Sequence, residues 1–169
     1  LFVIYIGGIH EKAFIEVHDM RFIMAEKIED TYEPLKKAWW GTPESLHLDA
    51  WGALKYADGY NIKIISKPAQ ETENKLYFIN LGGYNGDEFT EYHKNIFVVA
   101  PTASKAKVRA LKQILHWTSY HRDYQFDVDD VIDLSQVCSK EKLYIHLEPT
   151  DEEQEFQFTC KFTPIGRDS

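Results

Sequence analysis

The sequence predicts an α+β fold, two tandem ββαββ repeats forming a pseudo-two-fold pair of antiparallel sheets, each with one covering helix. Three observations predict it. Sliding the chain by 75 positions places Leu1 on Leu76, Ile4 on Ile79, Gly7-Gly8 on Gly82-Gly83, Phe14 on Phe89, Glu16 on Glu91, His18 on His93, Phe22 on Phe97 and Ala25 on Ala100. That is nine identities over residues 1–27, where chance gives roughly one or two. At a shift one residue smaller, Ser45, His47 and Asp49 fall on Ser119, His121 and Asp123, so both halves read S-x-H-x-D. Each half also places one helix-spaced segment between pairs of strand-like runs.

The elements follow in order. Leu1–Ile6 and Leu76–Leu81 are apolar runs ended by Gly-Gly, which suits a strand and then a turn needing positive φ. Ile15–Ala25 and Tyr92–Ala100 are rich in Val, Ile and Phe and read as second strands. Ile28–Trp40 and Ser104–Trp117 have helical spacing; in the latter Val108, Leu111, Ile114 and Leu115 form one apolar stripe, with Thr102 or Ser104 as cap and Pro101 at the boundary. Leu46–Trp51 and Tyr120–Phe126 read as third strands, Tyr60–Ile65 and Leu143–Leu147 as fourth strands. The first repeat then covers residues 1–67, a polar linker 68–74 and the second repeat 75–149. The segment 150–169 holds an acidic stretch and then Phe156, Phe158, Cys160 and Phe162, whose alternation predicts an extra half-buried strand. Asp127 to Asp133 reads as an acidic insertion that the first repeat lacks.

Bulk composition narrows the function classes. With 44% hydrophobic and 14% aromatic residues the chain can build a packed core. A net charge of −8 argues against a dedicated nucleic-acid binder, because phosphate contacts need a basic footprint. The basic segment Lys105, Lys107, Arg109, Lys112 and Arg122, with Trp117, Tyr120 and Tyr124 beside it, keeps weak single-stranded nucleic-acid binding as a second alternative. Two cysteines, Cys138 and Cys160, are too few for a disulfide framework and imply a reducing cytoplasm. Leu1–Ile6 reads as a strand rather than a signal peptide, and no apolar run approaches bilayer length.

Two polar clusters per repeat are the candidate chemistry. Residues two apart on a strand share a face, which pairs Glu16 with His18, His47 with Asp49, Glu91 with His93 and His121 with Asp123. Imidazoles and carboxylates together suit a metal site or a general acid and base, provided their strands lie side by side. The structural alternative is a polar solvent face. Ser45-His47-Asp49 is not a hydrolase triad, because neighbours two apart sit roughly 7 Å apart at Cα, too far for a serine hydroxyl to reach. The Gly-Gly pairs lack a phosphate-binding pattern, and there is no cofactor fingerprint, so metal and cofactor stay open.

The strings LFVIYIGG, IEVHDMRF, IEDTY, LYFINLGGY and FDVDDV resemble the bacterial domain-of-unknown-function 1543 family, whose members carry one or two copies of such a unit. The resemblance spans nearly all of residues 1–149 and implies a small bacterial cytosolic protein; it implies no activity. The functional expectation is a non-catalytic binding or interaction scaffold for a protein or small-molecule ligand, able to self-associate and not to enter membranes. The alternative is a small enzyme, metal-dependent or not, that uses the duplicated Glu/His and His/Asp positions. If one site survives, the first repeat should hold it.

Overall fold

A computed structural model describes residues 1–67, 73–84, 89–114, 127–139 and 142–166. The chain divides into two compact units, Leu1–Tyr56 with Gln154–Ser169, and Ala57–Glu153. The fold is α+β with three antiparallel sheets among the described residues.

In the first unit β1 (Phe2–Gly8), β2 (Val17–Ile23), β3 (His47–Ala53) and β10 (Thr159–Pro164) form one sheet in the order β10-β3-β1-β2. One face packs on α1 (Tyr32–Ala38), entered through a 3₁₀ turn, Ile28–Thr31. Ile4, Ile6, Leu46 and Leu48 meet Leu35 there, with Phe2, Tyr32, Trp39 and Trp51 at the margin. Alternation explains the stripe: Phe2, Ile4 and Ile6 point one way, and Val3, Tyr5 and Gly7 the other. Two expectations change here. Gly7 and Gly8 belong to β1 rather than to a turn. The tail strand forms, but as an exposed edge: Phe158, Cys160 and Phe162 face solvent, and Ile165 is the residue that enters the core. Alternation marked the strand correctly, but Phe162 lies on the face that no helix covers.

Among the described residues the second unit has two sheets. β6 (Lys75–Tyr84), β7 (Glu91–Ala100) and β8 (Asp127–Asp133) give the order β7-β6-β8. α2 (Ala103–Ile114) covers this sheet, and Thr102 caps it by accepting from the Lys105 amide at 3.2 Å. The buried face of α2 is Ala106 and Ala110, small enough to let the helix approach Ile79, Leu81 and Val98 closely. Val108 is exposed instead of lying on the apolar stripe, because two residues past Ala106 is about 200° round the helix. Asp127 to Asp133 is not an insertion but the third strand on β6. Residues 120–126, read as that strand, lie outside the described residues.

The fourth strands leave their expected sheets. β4 (Tyr56–Ala57), β5 (Tyr60–Ile65) and β9 (Tyr144–Pro149) make a separate sheet, in which Ile62 faces Leu147. An Asp58-Gly59 hairpin turn joins β4 and β5, both residues at positive φ, the signature such two-residue turns demand. Asp58 then accepts from the Val99 amide at 2.7 Å and from Arg109 at 2.8 Å, and Arg109 also donates to the Val99 carbonyl at 2.6 Å. Arg109 is therefore engaged in structure, while Lys105, Lys107 and Lys112 are solvated. Arg122, Trp117, Tyr120 and Tyr124 lie outside the described residues.

After β8 the chain enters α3 (Leu134–Ser139), which buries Cys138, whereas Cys160 on β10 is exposed. One thiol of the two is thus expected to react at once with an aromatic disulfide reagent, and the other only on unfolding. Two fast thiols in the native protein would contradict this placement. No helix among the described residues is long and apolar enough to cross a membrane.

Candidate functional site

The uncovered face of the first sheet gathers Glu16, His18, His47 and Asp49. β2 and β3 are not neighbours; both flank β1, and Gly7 pairs with His18 on one side and His47 on the other. Adjacent strands are about 4.8 Å apart, so two side chains on flanking strands meet only if the position between them is empty. Gly7 is that gap. A Cβ there would lie 2.7 Å from His47 Nε2, 2.8 Å from Asp49 Oδ2 and 2.9 Å from His18 Cδ2. The Gly-Gly pair is therefore the floor of the site. Gly8 serves the wall, since a Cβ there would meet Trp39 at 2.6 Å and Ser45 Oγ at 2.9 Å.

Asp49 reaches the same face through a bulge. On the β1 side the register steps from Tyr5↔Ala50 to Ile6↔Leu48, and on the β10 side from Cys160↔Ala50 to Thr163↔Leu48. Asp49 is the residue skipped on both edges. The bulge re-aims one side chain and resets the alternation, so Trp51 returns to the core face beside Ile4.

The four side chains close a ring. His18 Nε2 lies 3.4 Å from Glu16 Oε2 and 3.4 Å from Asp49 Oδ2. His47 Nε2 lies 3.1 Å from Glu16 Oε1 and 3.4 Å from Asp49 Oδ1. Each carboxylate thus spans both imidazoles, one oxygen to each. His47 is 4% exposed. Its Nδ1 is 2.8 Å from the Ser45 carbonyl. A carbonyl only accepts, so Nδ1 carries a proton and Nε2 is the nitrogen whose protonation can change. Asp49 Oδ2 is buried with no hydrogen-bond partner among the described residues; its approach to His18 is an electrostatic contact without hydrogen-bond alignment. Among the described residues no group of three or more His, Cys, Asp or Glu is arranged to hold a metal ion.

The surroundings fix this geometry. The Ser45 hydroxyl accepts from the Ile9 amide at 2.8 Å and donates to the Thr42 carbonyl at 2.6 Å, so it acts as a loop clamp and not as a nucleophile. Trp39 Nε1 donates to the same Thr42 carbonyl at 3.0 Å. Tyr5 stacks on His18, with planes 6° apart and centroids at 5.2 Å. Phe162 lies against His47 at 4.4 Å. Burial first, then the carboxylates of Asp49, Asp19 and Glu16, raises the Tyr5 phenol above its ordinary 10.0. A raised folded-state value means that the folded protein holds this proton more tightly. The resulting stabilisation is present below pH 10 and is lost as pH rises through the folded value. Replacing Tyr5 with Phe is expected to reduce the alkaline fall in melting temperature; an identical fall in both proteins would remove Tyr5 from it.

Beside the ring an open cleft of about 560 Å³ is lined by Ile9, Glu16, Glu44, His47, Phe162 and Pro164, among others. Sequence reasoning did not find Gly7, Tyr5, Glu44 or Phe162. Gly7 alone carried a signal, since its match to Gly82 at the same offset as His18 to His93 implied a shared register.

Among the described residues the second unit shows no such ring. Gly82 faces His93, and His93 lies 3.7 Å from Glu91 and 3.2 Å from Asn80. On the other side Gly82 faces Asp127, where Gly7 has His47. His121 and Asp123 lie outside the described residues.

A family model described as Domain of Unknown Function (DUF1543) matches residues 13–64, the span holding all four ring residues. The crystal structure of a protein Il1583 from Idiomarina loihiensis is similar over 97% of this chain and 96% of its own, at 31% identity and a TM-score of 0.68. No curated protein matches the chain.

Proposed function

Since the chain belongs to the family described as Domain of Unknown Function (DUF1543), a description that names no activity, its function rests on its own site, and we propose that the first unit is a small enzyme acting by proton transfer. One observation carries this reading. A buried imidazole has one nitrogen tied to a backbone carbonyl and the other turned to two carboxylates. Such a tie orients a histidine for acid–base work. Glu16 spans both imidazoles and lines the cleft, so it is the group that exchanges a proton with a bound molecule; His47 and His18 supply or accept it.

The test is a panel of chromogenic ester, amide and amine substrates, run on the parent, Glu16→Gln and His47→Gln. A loss of at least about tenfold in either variant, with an unchanged melting temperature, is expected, in line with general acid–base contributions. Turnover equal in all three proteins would overturn the reading. Imidazole nitrogen spectra give an independent check: His18 signals should move when His47 is replaced, because the carboxylates couple the rings. If zinc were retained near one equivalent and lost in His18→Ala, a metal centre would replace the proton ring.

A second reading, a non-catalytic interaction scaffold built on a tandem duplication, is favoured by Phe14 and Phe89. Each is fully exposed, at 108% and 110%, just ahead of its second strand. The duplication is supported by register: the bulge at Tyr5/Ile6 on β1 has its counterpart at Asn80/Leu81 on β6, again 75 residues on. In both third strands the skipped residue is an aspartate, Asp49 and Asp129. Under this reading serine at Phe14 and Phe89 abolishes partner capture, whereas Glu16→Gln does not.

A further inference from the structure

We propose that the cleft beside the ring binds a small organic cation with an apolar body, an alkyl- or arylammonium. The inference rests on the first unit's cleft being the ligand site, and it adds the ligand class. Charge is the first argument. Three carboxylates, Glu16, Glu44 and Asp49, stand in or against the cleft with two imidazoles. With both imidazoles neutral the local charge is −3; with both protonated, +2 and −3 leave −1. Every protonation state of the histidines is therefore negative. Among the described residues that line the cleft none is Lys or Arg. A phosphate or carboxylate would meet uncompensated repulsion there, and a cation would not. The net charge of −8 on the whole chain favours a cation's approach as well.

The lining is in part apolar or aromatic: Ile9, Phe162 and Pro164. Phe162 is 64% exposed while one side of its ring lies against His47. Its remaining surface is open, and an aromatic face attracts an ammonium. Ile9, 59% exposed, and Pro164 supply apolar contact for a hydrocarbon body. An ammonium near Glu16 would also stand beside the group assigned to proton exchange. A lining that combines carboxylates with apolar and aromatic surface matches an amphipathic cation better than a sugar or a free inorganic ion.

The experiment titrates benzylamine, benzyl alcohol and benzoate into full-length protein and follows backbone amide shifts. Benzylamine is expected to shift the amides of Ile9, Glu44, His47 and Phe162, and to bind about tenfold more tightly than benzyl alcohol. Benzoate should not shift them at all. Glu44→Gln and Phe162→Ala should each weaken benzylamine by about threefold or more, and added salt should weaken it too. Amide spectra outside the cleft verify that both variants fold. Benzoate binding as tightly as benzylamine in the cleft would overturn the cation class and leave the proton-transfer reading standing. Benzylamine affinity unchanged in both variants would overturn the proposed contacts. No cleft shift with any probe would overturn the cleft as a ligand site, and the coupling of His18 to His47 would then decide the proton-transfer reading by itself.

Discussion

Gly7→Ala is expected to leave the first sheet folded and to scatter the His–carboxylate ring. The added Cβ would fall within 2.9 Å of three groups, His47 Nε2, Asp49 Oδ2 and His18 Cδ2. All three are ends of side chains, so rotation can relieve the clash without moving backbone. Gly7 sits in a strand, outside the positive-φ residues, so alanine adds no backbone strain. The stability change should stay within about 1–3 kcal/mol, the usual range for overpacking. The ring cannot survive, because the space in which its atoms meet is the space the methyl takes. Ligand binding and turnover should fall at least tenfold, and the His18 and His47 ring signals should uncouple, a loss of about 1.4 kcal/mol or more in binding. Unchanged binding in a folded Gly7→Ala protein would show that the ring is not the working site. Gly8→Ala is the contrast: it drives into the packed Trp39 ring and the Ser45 backbone, and should cost mainly stability.

Ending the chain after Glu153 is expected to unfold the first unit. The tail supplies β10, the edge strand on β3. It supplies Ile165, 5% exposed in the helix-side core. The amides of Ile165 and Gly166 donate to the Leu46 carbonyl at 3.0 and 2.9 Å. Gly166 packs against the Pro43 carbonyl too closely for any side chain, which holds the strap on the 3₁₀ turn before β3. Losing a buried isoleucine costs about 2–5 kcal/mol by itself. Each lost hydrogen bond adds about 0.5–1.5 kcal/mol, and β3 becomes an open edge beside Trp51, an invitation to aggregate. The sum is comparable to the whole stability of a small domain, about 5–15 kcal/mol. Soluble yield and a thermal melt check it, with Ile165→Ala as a milder companion that should still fold. A truncated protein that melts within about 1 kcal/mol of the parent, as judged from its transition, would make the tail peripheral.

Much of this was legible in the letters. The apolar runs Leu1–Ile6 and Leu76–Leu81 marked two strands, and both form. Glu16, His18, His47 and Asp49 stood out as residue types able to exchange protons, on strands expected to share a sheet. Local rules carry such information because alternation, turn chemistry and side-chain type are properties of short segments.

The tertiary structure decided the rest. Whether His18 and His47 meet depends on which strand lies between them and what it carries, and that strand presents a glycine at the shared position. Asp49 joins them through a bulge, a misregister between strands that no single strand encodes. Sequence alternation put Phe158 and Phe162 with half-buried Phe156 on one covered face, although both are exposed, because the pattern marks that one side differs from the other and not which side a helix will cover. The fourth strands Tyr60–Ile65 and Tyr144–Pro149 show the same limit: each had a strand's composition, but their pairing with one another joins segments far apart in the chain, which no short segment encodes.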